Sequence, residues 1–171
     1  TYTTQYMQSA SNSTAGSPLE VWVQSSQNIK LQTSHLISAG YFRNFKNNMF
    51  ESSVAVYHKD TKNVTDFKDR ADLITSSNIE EELRFGIGYA YGVELTLRKN
   101  TGKLTGWVSY SYSRSFRKVD EVNNNRWYKS NYDRPHNISV VLNYDISRKW
   151  SVSACWVYST GMPFTFPVDK Y

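Results

Sequence analysis

The chain has 171 residues, 39% of them hydrophobic and 15% aromatic, with a formal net charge of +5 at pH 7. That length suits one domain with a sizeable core. No stretch approaches the roughly 20 apolar residues of a membrane helix, and the scattered Lys and Arg form no basic block interleaved with aromatics of the kind that grips nucleic acid. A negative mean hydropathy leaves a transmembrane β-barrel open, because half of each barrel strand faces a polar lumen. Cys155, the single cysteine, can form no internal disulfide. The start, TYTTQYMQ, has no charged-then-apolar leader and reads as strand cut mid-element, so a partial chain is expected.

Thr1 to Gln8 is the first strand candidate, with Tyr2 and Tyr6 on one side. The Ser-, Asn- and Gly-rich stretch SASNSTAGSPLEVWVQSSQNIKLQ then reads as loop. His35–Lys46 and Phe50–Lys59 flank a tight Asn47-Asn48 turn; Phe50, Val54 and Val56 oppose Glu51, Ser53 and Lys59. In the earlier strand Arg43 falls in the row of Ile37, Ala39 and Tyr41, which blurs its face. A long connection, DTKNVTDFKDRADLITSSNIEEELRF, follows; its end offers at most one or two helical turns, with Ser77 or Asn78 as cap.

The clearest hairpin is GVELTLRKNTGKLTGWVSYSYS, turning at Asn100-Thr101-Gly102. Val93, Leu95 and Leu97, then Leu104, Val108, Tyr110 and Tyr112, alternate with polar residues. Beyond KVDEVNNNRWYKSNYDR, a last hairpin pairs His136–Ile146 with Trp150–Thr160 around Ser147-Arg148-Lys149. Seven strands result. Their connections alternate between long and short, so short turns gather at one edge of the sheet and long loops at the other, as in outer-membrane barrels.

Three features aim the apolar face at lipid. The polar row of Thr105–Ser115 is nearly all Ser, with Trp107 the exception, where a solvated sheet would carry Lys and Glu. Tyr89, Tyr91, Tyr110, Tyr112, Tyr144, Trp150, Trp156 and Tyr158 lie toward strand ends on the apolar face, as an interfacial girdle would. Nothing supplies a layer of helices to cover the sheet.

The residues GYAYGVELTLRKNTGKLTGWVSYSYSRS and YKSNYDRPHNISVVLNYDISRKWSVSACWVYSTGMPFTFP resemble the barrel of TonB-dependent outer-membrane receptors, particularly those of Bacteroidetes-type bacteria. The carriers are Gly92-x-Glu94-Leu95, Gly106-Trp107 with its Ser/Tyr tail, and Tyr132-Asp133-Arg134 with His136. Gly161-Met162-Pro163 before Pro167, and Pro18 and Trp22 upstream of Gln27-Asn28-Ile29-Lys30, complete the set. The resemblance implies that residues 1–171 are part of one outer-membrane β-barrel domain, about seven antiparallel up-and-down strands of a larger, 22-stranded barrel. It implies import of a scarce or large nutrient (an iron chelate, cobalamin or oligosaccharide) driven through TonB. The plug, the TonB-contacting segment and the remaining strands would lie outside this chain, and FTFPVDKY reads as the start of another external loop. Expected partners are outer-membrane lipid, the protein's own plug and through it TonB, and a surface lipoprotein, with no nucleic acid. The short turns would be periplasmic and the long loops extracellular, in the outer membrane of a Gram-negative cell.

No catalytic constellation is read, and neither cofactor nor metal: His35, His58 and His136 lack metal-site spacing. His136 with Asp133 and Arg134 fits a rim salt-bridge cluster better than a catalytic pair. Candidate ligand or plug contacts are Glu94 and Trp107 on the wet row and Trp127 and Tyr128 in an external loop, whose planar faces suit amphipathic ligands, although anchoring and plug packing are the simpler roles. The expectation is a transport protein and not an enzyme. Two rivals stand: a complete small barrel with a structural or adhesion role, and a soluble β-sandwich that binds carbohydrate.

Overall fold

Alternation along the chain builds one antiparallel sheet. The computed structural model describes residues 2–5, 7–12, 19–24, 29–69, 71 and 79–163. Its strands are β1 (Tyr2–Gln5), β2 (Met7–Asn12), β3 (Leu19–Gln24), β4 (Gln32–Phe45), β5 (Phe50–Phe67), β6 (Leu83–Lys99), β7 (Leu104–Val119), β8 (Tyr128–Lys129), β9 (His136–Asp145) and β10 (Ser151–Ser159). The main path runs β1-β4-β5-β6-β7-β9-β10, with β8 added beside β7 and the sheet left open. This is the expected seven-strand meander, every neighbour antiparallel.

Registers put the expected rows together. Tyr41, Val54, Leu95, Tyr110, Ile138 and Tyr158 are successive cross-strand partners, so they share one face. Ser53, Thr96, Ser109, Ser139 and Val157 form a row of the other. Ile37, Ala39, Tyr41 and Arg43 all take the apolar side, which settles the blurred strand.

Two expectations are corrected. The strand expected over Thr1–Gln8 ends at Gln5, and Met7 opens a hairpin that continues into the stretch read as loop, β2 paired to β3 from Met7–Gln24 to Asn12–Leu19. Four strands also outrun their predicted ends at the long-loop pole: β4 begins at Gln32 instead of His35, β5 has 18 residues, β6 17 and β7 16. Within β5, Asn63 adopts φ 56° and shifts the register between Lys62 and Val64, a bulge that re-aims the residues beyond it. The helical turn expected near Glu80 is a single 3-10 turn, Ile79–Glu82. Ser77, Asn78, Tyr6, Pro18, Gln27, Asn28 and the ending from Phe164 through Pro167 lie outside the described residues.

Turn chemistry explains the short pole. Lys46, Asn47 and Asn48 all have φ between 52° and 63°, a left-handed run that Asn tolerates. Gly102 takes φ 98° in the next turn. At the opposite pole Glu121, Asn123, Asn124 and Asn125 are likewise left-handed, which is the physical use of the Asn run.

Among the described residues every buried apolar side chain sits at the long-loop pole. Ile29, Phe67 and Leu83 form one cluster against Ala71 and Phe85. Val64, Val119 and Val122 form another against Tyr128. Full burial of such a side chain stabilises by about 1.5–3 kcal/mol, so these clusters tie the strand extensions to the connections that carry Ile29, Ala71 and Val122. The middle of the sheet has no such core: Val54, Val56, Leu95, Leu97, Val108 and Leu142 are all exposed.

Candidate functional site

On the polar face, glycine and serine keep the surface low. Gly92 lies under the ring of Tyr57, its cross-strand partner. A Cβ there would come within 2.7 Å of the Tyr57 hydroxyl and 2.6 Å of the Tyr112 carbonyl, so only glycine admits this packing. Glu94 stands exposed beside this spot, opposite Ala55 and Ser111. Trp107 is half-buried, opposite Arg98 and Val141.

The two aromatics of the long connection point to different faces. Trp127 meets the Tyr89 ring edge-on at 4.9 Å, on the apolar side, where Tyr89 also stacks on Phe116 at 5.2 Å. Tyr128 pairs with Arg117 on the polar side and donates its hydroxyl to Asp66 Oδ2 at 2.6 Å. Glu94, Trp107 and Tyr128 thus share a face and Trp127 does not. At a rise of about 3.4 Å per residue, Tyr128 lies roughly 20 Å along β7 from the level of Glu94, and Trp107 a further 14 Å or so. The four residues do not converge on one pocket; they mark points along a wall.

The cluster at the start of β9 forms with different partners from those expected. Asp133, 3% exposed, accepts the Ser115 N–H at 2.8 Å and faces Arg114 Nε at 3.3 Å. Arg134 is not its partner. His136 Nδ1 lies 2.9 Å from the Tyr110 hydroxyl, with the Tyr112 ring at 5.3 Å. Among the described residues no three His, Cys, Asp or Glu side chains gather as a metal site.

Sequence reasoning missed the Asp66–Tyr128 pair, whose members are 62 residues apart and carry no spacing signal. The pair lies beyond the apolar band, near buried Val64 and Val119. Burial pushes the Asp66 carboxyl above its ordinary 3.8, partly offset by the Tyr128 hydroxyl and Arg117. Burial, then the Asp66 charge, pushes the Tyr128 phenol up as well. Because the folded state disfavours the Asp66 anion, local stability rises as pH falls from neutral through the raised pKa and levels off below 3.8. Asp66→Asn, which removes the charge and keeps an acceptor, should change stability by less than about 1 kcal/mol at neutral pH. Tyr128→Phe strands a desolvated carboxylate and should cost about 1.5–3 kcal/mol. Hydrogen exchange at the amides of Thr65–Phe67 and Arg117–Val119 checks this; equal effects of the two variants would contradict it.

Comparison with protein-family models, curated proteins and solved structures finds no match to this chain.

Proposed function

We propose that this chain is a wall segment of a TonB-dependent outer-membrane transporter, with the apolar face against lipid and the polar face toward the plug and the channel. The observation that carries the reading is the main sheet, without a buried core over its middle, whose apolar row approaches the height of an outer-membrane apolar band. In β6 that row comprises Tyr89, Tyr91, Val93, Leu95 and Leu97, between Ile87, which Lys62 and Lys118 flank, and Lys99. Its long-loop end is interfacial, with His58 and Arg114 beside Tyr91 and Asp60 beside Tyr89. Eight steps of about 3.4 Å span roughly 27 Å along the strand. At a tilt of about 40° that is roughly 21 Å of height, against about 25 Å for the apolar band of an outer-membrane barrel.

Position within the band supports the same reading. Tyr89, Phe116 and Trp127 rim the long-loop side, and Phe45, Phe50, Tyr144 and Trp150 the turn side; the middle holds Val54, Val93, Leu95, Val108 and Val140 together with Tyr41, Tyr110, Trp156 and Tyr158, the last three of which were expected toward strand ends. Interfacial aromatics take the rim places. Long connections at one pole and short turns at the other complete the pattern. The open edges at β1 and β10 suit a wall continued by further strands. Glu94, Trp107 and Tyr128 become channel- or plug-side contacts, and Trp127 a lipid-side anchor. The transported nutrient, the TonB coupling and a surface lipoprotein partner rest on the family resemblance.

The test is the natural gene and its product. The reading expects a plug-type domain encoded upstream, and a protein that sediments with outer membranes and leaves them only in detergent. A gene without such a domain overturns the transporter. A product that is monomeric in buffer without detergent overturns the membrane wall and favours the sandwich.

A further inference from the structure

The charges are unevenly divided between the two poles. The turns Phe45–Phe50, Lys99–Leu104 and Asp145–Ser151 carry Lys46, Lys99, Lys103, Arg148 and Lys149 against the one carboxylate of Asp145. The long connections 68–82 and 120–135 carry eight carboxylates against five cations. All four ion pairs among the described residues lie at or toward the long-loop pole: His58–Asp60, Lys68–Glu82, Arg84–Glu121 and Arg114–Asp133. Carboxylates are in excess at the long-loop end, while the cations of the turn end take part in none of these ion pairs.

Two of the turns are tied into one surface. The Asp145 N–H donates to the Lys103 carbonyl at 2.8 Å. Ile146 and Ser147 N–H groups both donate to the Trp150 carbonyl, at 3.0 and 3.1 Å. The Lys149 N–H donates to Ser147 Oγ at 3.3 Å. An open groove results, lined by Lys103, Ser147, Arg148, Lys149 and Trp150, with Asp145 at its side. Trp150 is 73% exposed. It continues the apolar row of Val152 and Tyr144, so the cations begin where the apolar face ends.

We propose that this groove binds the phosphate of an anionic phospholipid in the leaflet that meets the short turns, with Lys103, Arg148 and Lys149 on the headgroup and Trp150 along the upper acyl chain. The proposal rests on the lipid-facing reading and goes beyond it, since a lipid-facing wall needs no headgroup preference. Three exposed cations beside a ring at the apolar boundary match a negative group attached to a chain. A free phosphate would leave Trp150 without an occupant. An acidic protein would leave the adjoining apolar row uncovered.

The experiment uses the full-length protein of the natural gene in phosphatidylcholine vesicles containing about one-fifth phosphatidylglycerol. Either the phosphatidylglycerol or an equal amount of the phosphatidylcholine carries brominated acyl chains, which quench tryptophan on contact. The part of the quenching that Trp150→Phe removes reports on this groove. Brominated phosphatidylglycerol should quench about two- to three-fold more than brominated phosphatidylcholine. The ratio should fall to about one in K103Q/R148Q/K149Q and at molar salt. Equal quenching by both lipids overturns the headgroup site, leaves the lipid-facing wall standing, and points to an acidic protein at this pole. Quenching of Trp150 by neither lipid overturns the wall itself. A ratio that persists in the triple variant overturns the assignment to these three cations.

Discussion

Arginine at position 95 should destabilise the protein by about 2–4 kcal/mol in phospholipid bilayers, while arginine at position 96 should be nearly neutral. Leu95 is 39% exposed and sits mid-row among Val54, Tyr110 and Ile138. On a water-facing surface such a residue tolerates arginine within about 0.5 kcal/mol. At the bilayer midplane the guanidinium must desolvate or drag water and headgroups inward, which gives the larger cost. Thr96 lies between Ser53 and Ser109 on the other face, where an aqueous wall accommodates the charge. Urea unfolding of Leu95→Arg and Thr96→Arg in vesicles, followed by tryptophan fluorescence, gives the comparison. Equal, small effects would place Leu95 in water.

Gly106→Ala should cost about 3 kcal/mol or more and loosen the β7–β9 pairing. Gly106 has φ 148°, and a Cβ there would lie 2.1 Å from the Val141 carbonyl oxygen and 3.0 Å from the Leu142 Cα. The obstacles are backbone atoms of the neighbouring strand, so no rotamer change relieves them. Dihedral strain alone costs about 1–3 kcal/mol, and the overlap adds to it or forces β7 and β9 apart. Gly161, with nothing among the described residues within 4 Å of its would-be Cβ, is the control: Gly161→Ala should stay within about 0.5 kcal/mol. Thermal unfolding of the two variants, with hydrogen exchange at Gly106 and Leu142, measures both. A Gly106→Ala protein as stable as the control would mean that the strand reaches this position differently.

The fold was legible where one face of a strand is apolar and the other polar. Val93, Leu95, Leu97 and their partners in β7 and β9 announced themselves by period two, and the expected rows meet across the sheet. The extension of β5 is hidden because its apolar-side row turns polar at His58, Asp60 and Lys62, opposite Tyr91, Tyr89 and Ile87; β6, which alternates from Gly86, gains only Leu83–Phe85. Asp60-Thr61-Lys62-Asn63 then has no alternation, yet it is strand with a bulge. The β2–β3 hairpin had a usable signal in Leu19, Val21 and Val23, hidden by the Ser- and Asn-rich partner Met7–Asn12. Of the candidate site, residue type and face were readable for Glu94 and Trp107. Trp127 and Tyr128 were readable only as loop aromatics. Their separation to opposite faces depends on β8 pairing Phe116–Lys129 and Arg117–Tyr128, and a two-residue strand leaves no pattern. Asp133 was noticed in the right cluster, but its partner Arg114 comes from the preceding strand by tertiary approach.

The most direct test is depth- and face-resolved accessibility along one strand. Nitroxide labels placed singly at positions 93 to 98, in a Cys155→Ser form of the full-length protein in vesicles, report collision with oxygen and with a water-soluble nickel chelate. The account predicts oxygen maxima at 93, 95 and 97 and nickel maxima at 94, 96 and 98, with Leu95 the deepest. Nickel access at 93, 95 and 97 equal to that at their neighbours would contradict the lipid-facing wall.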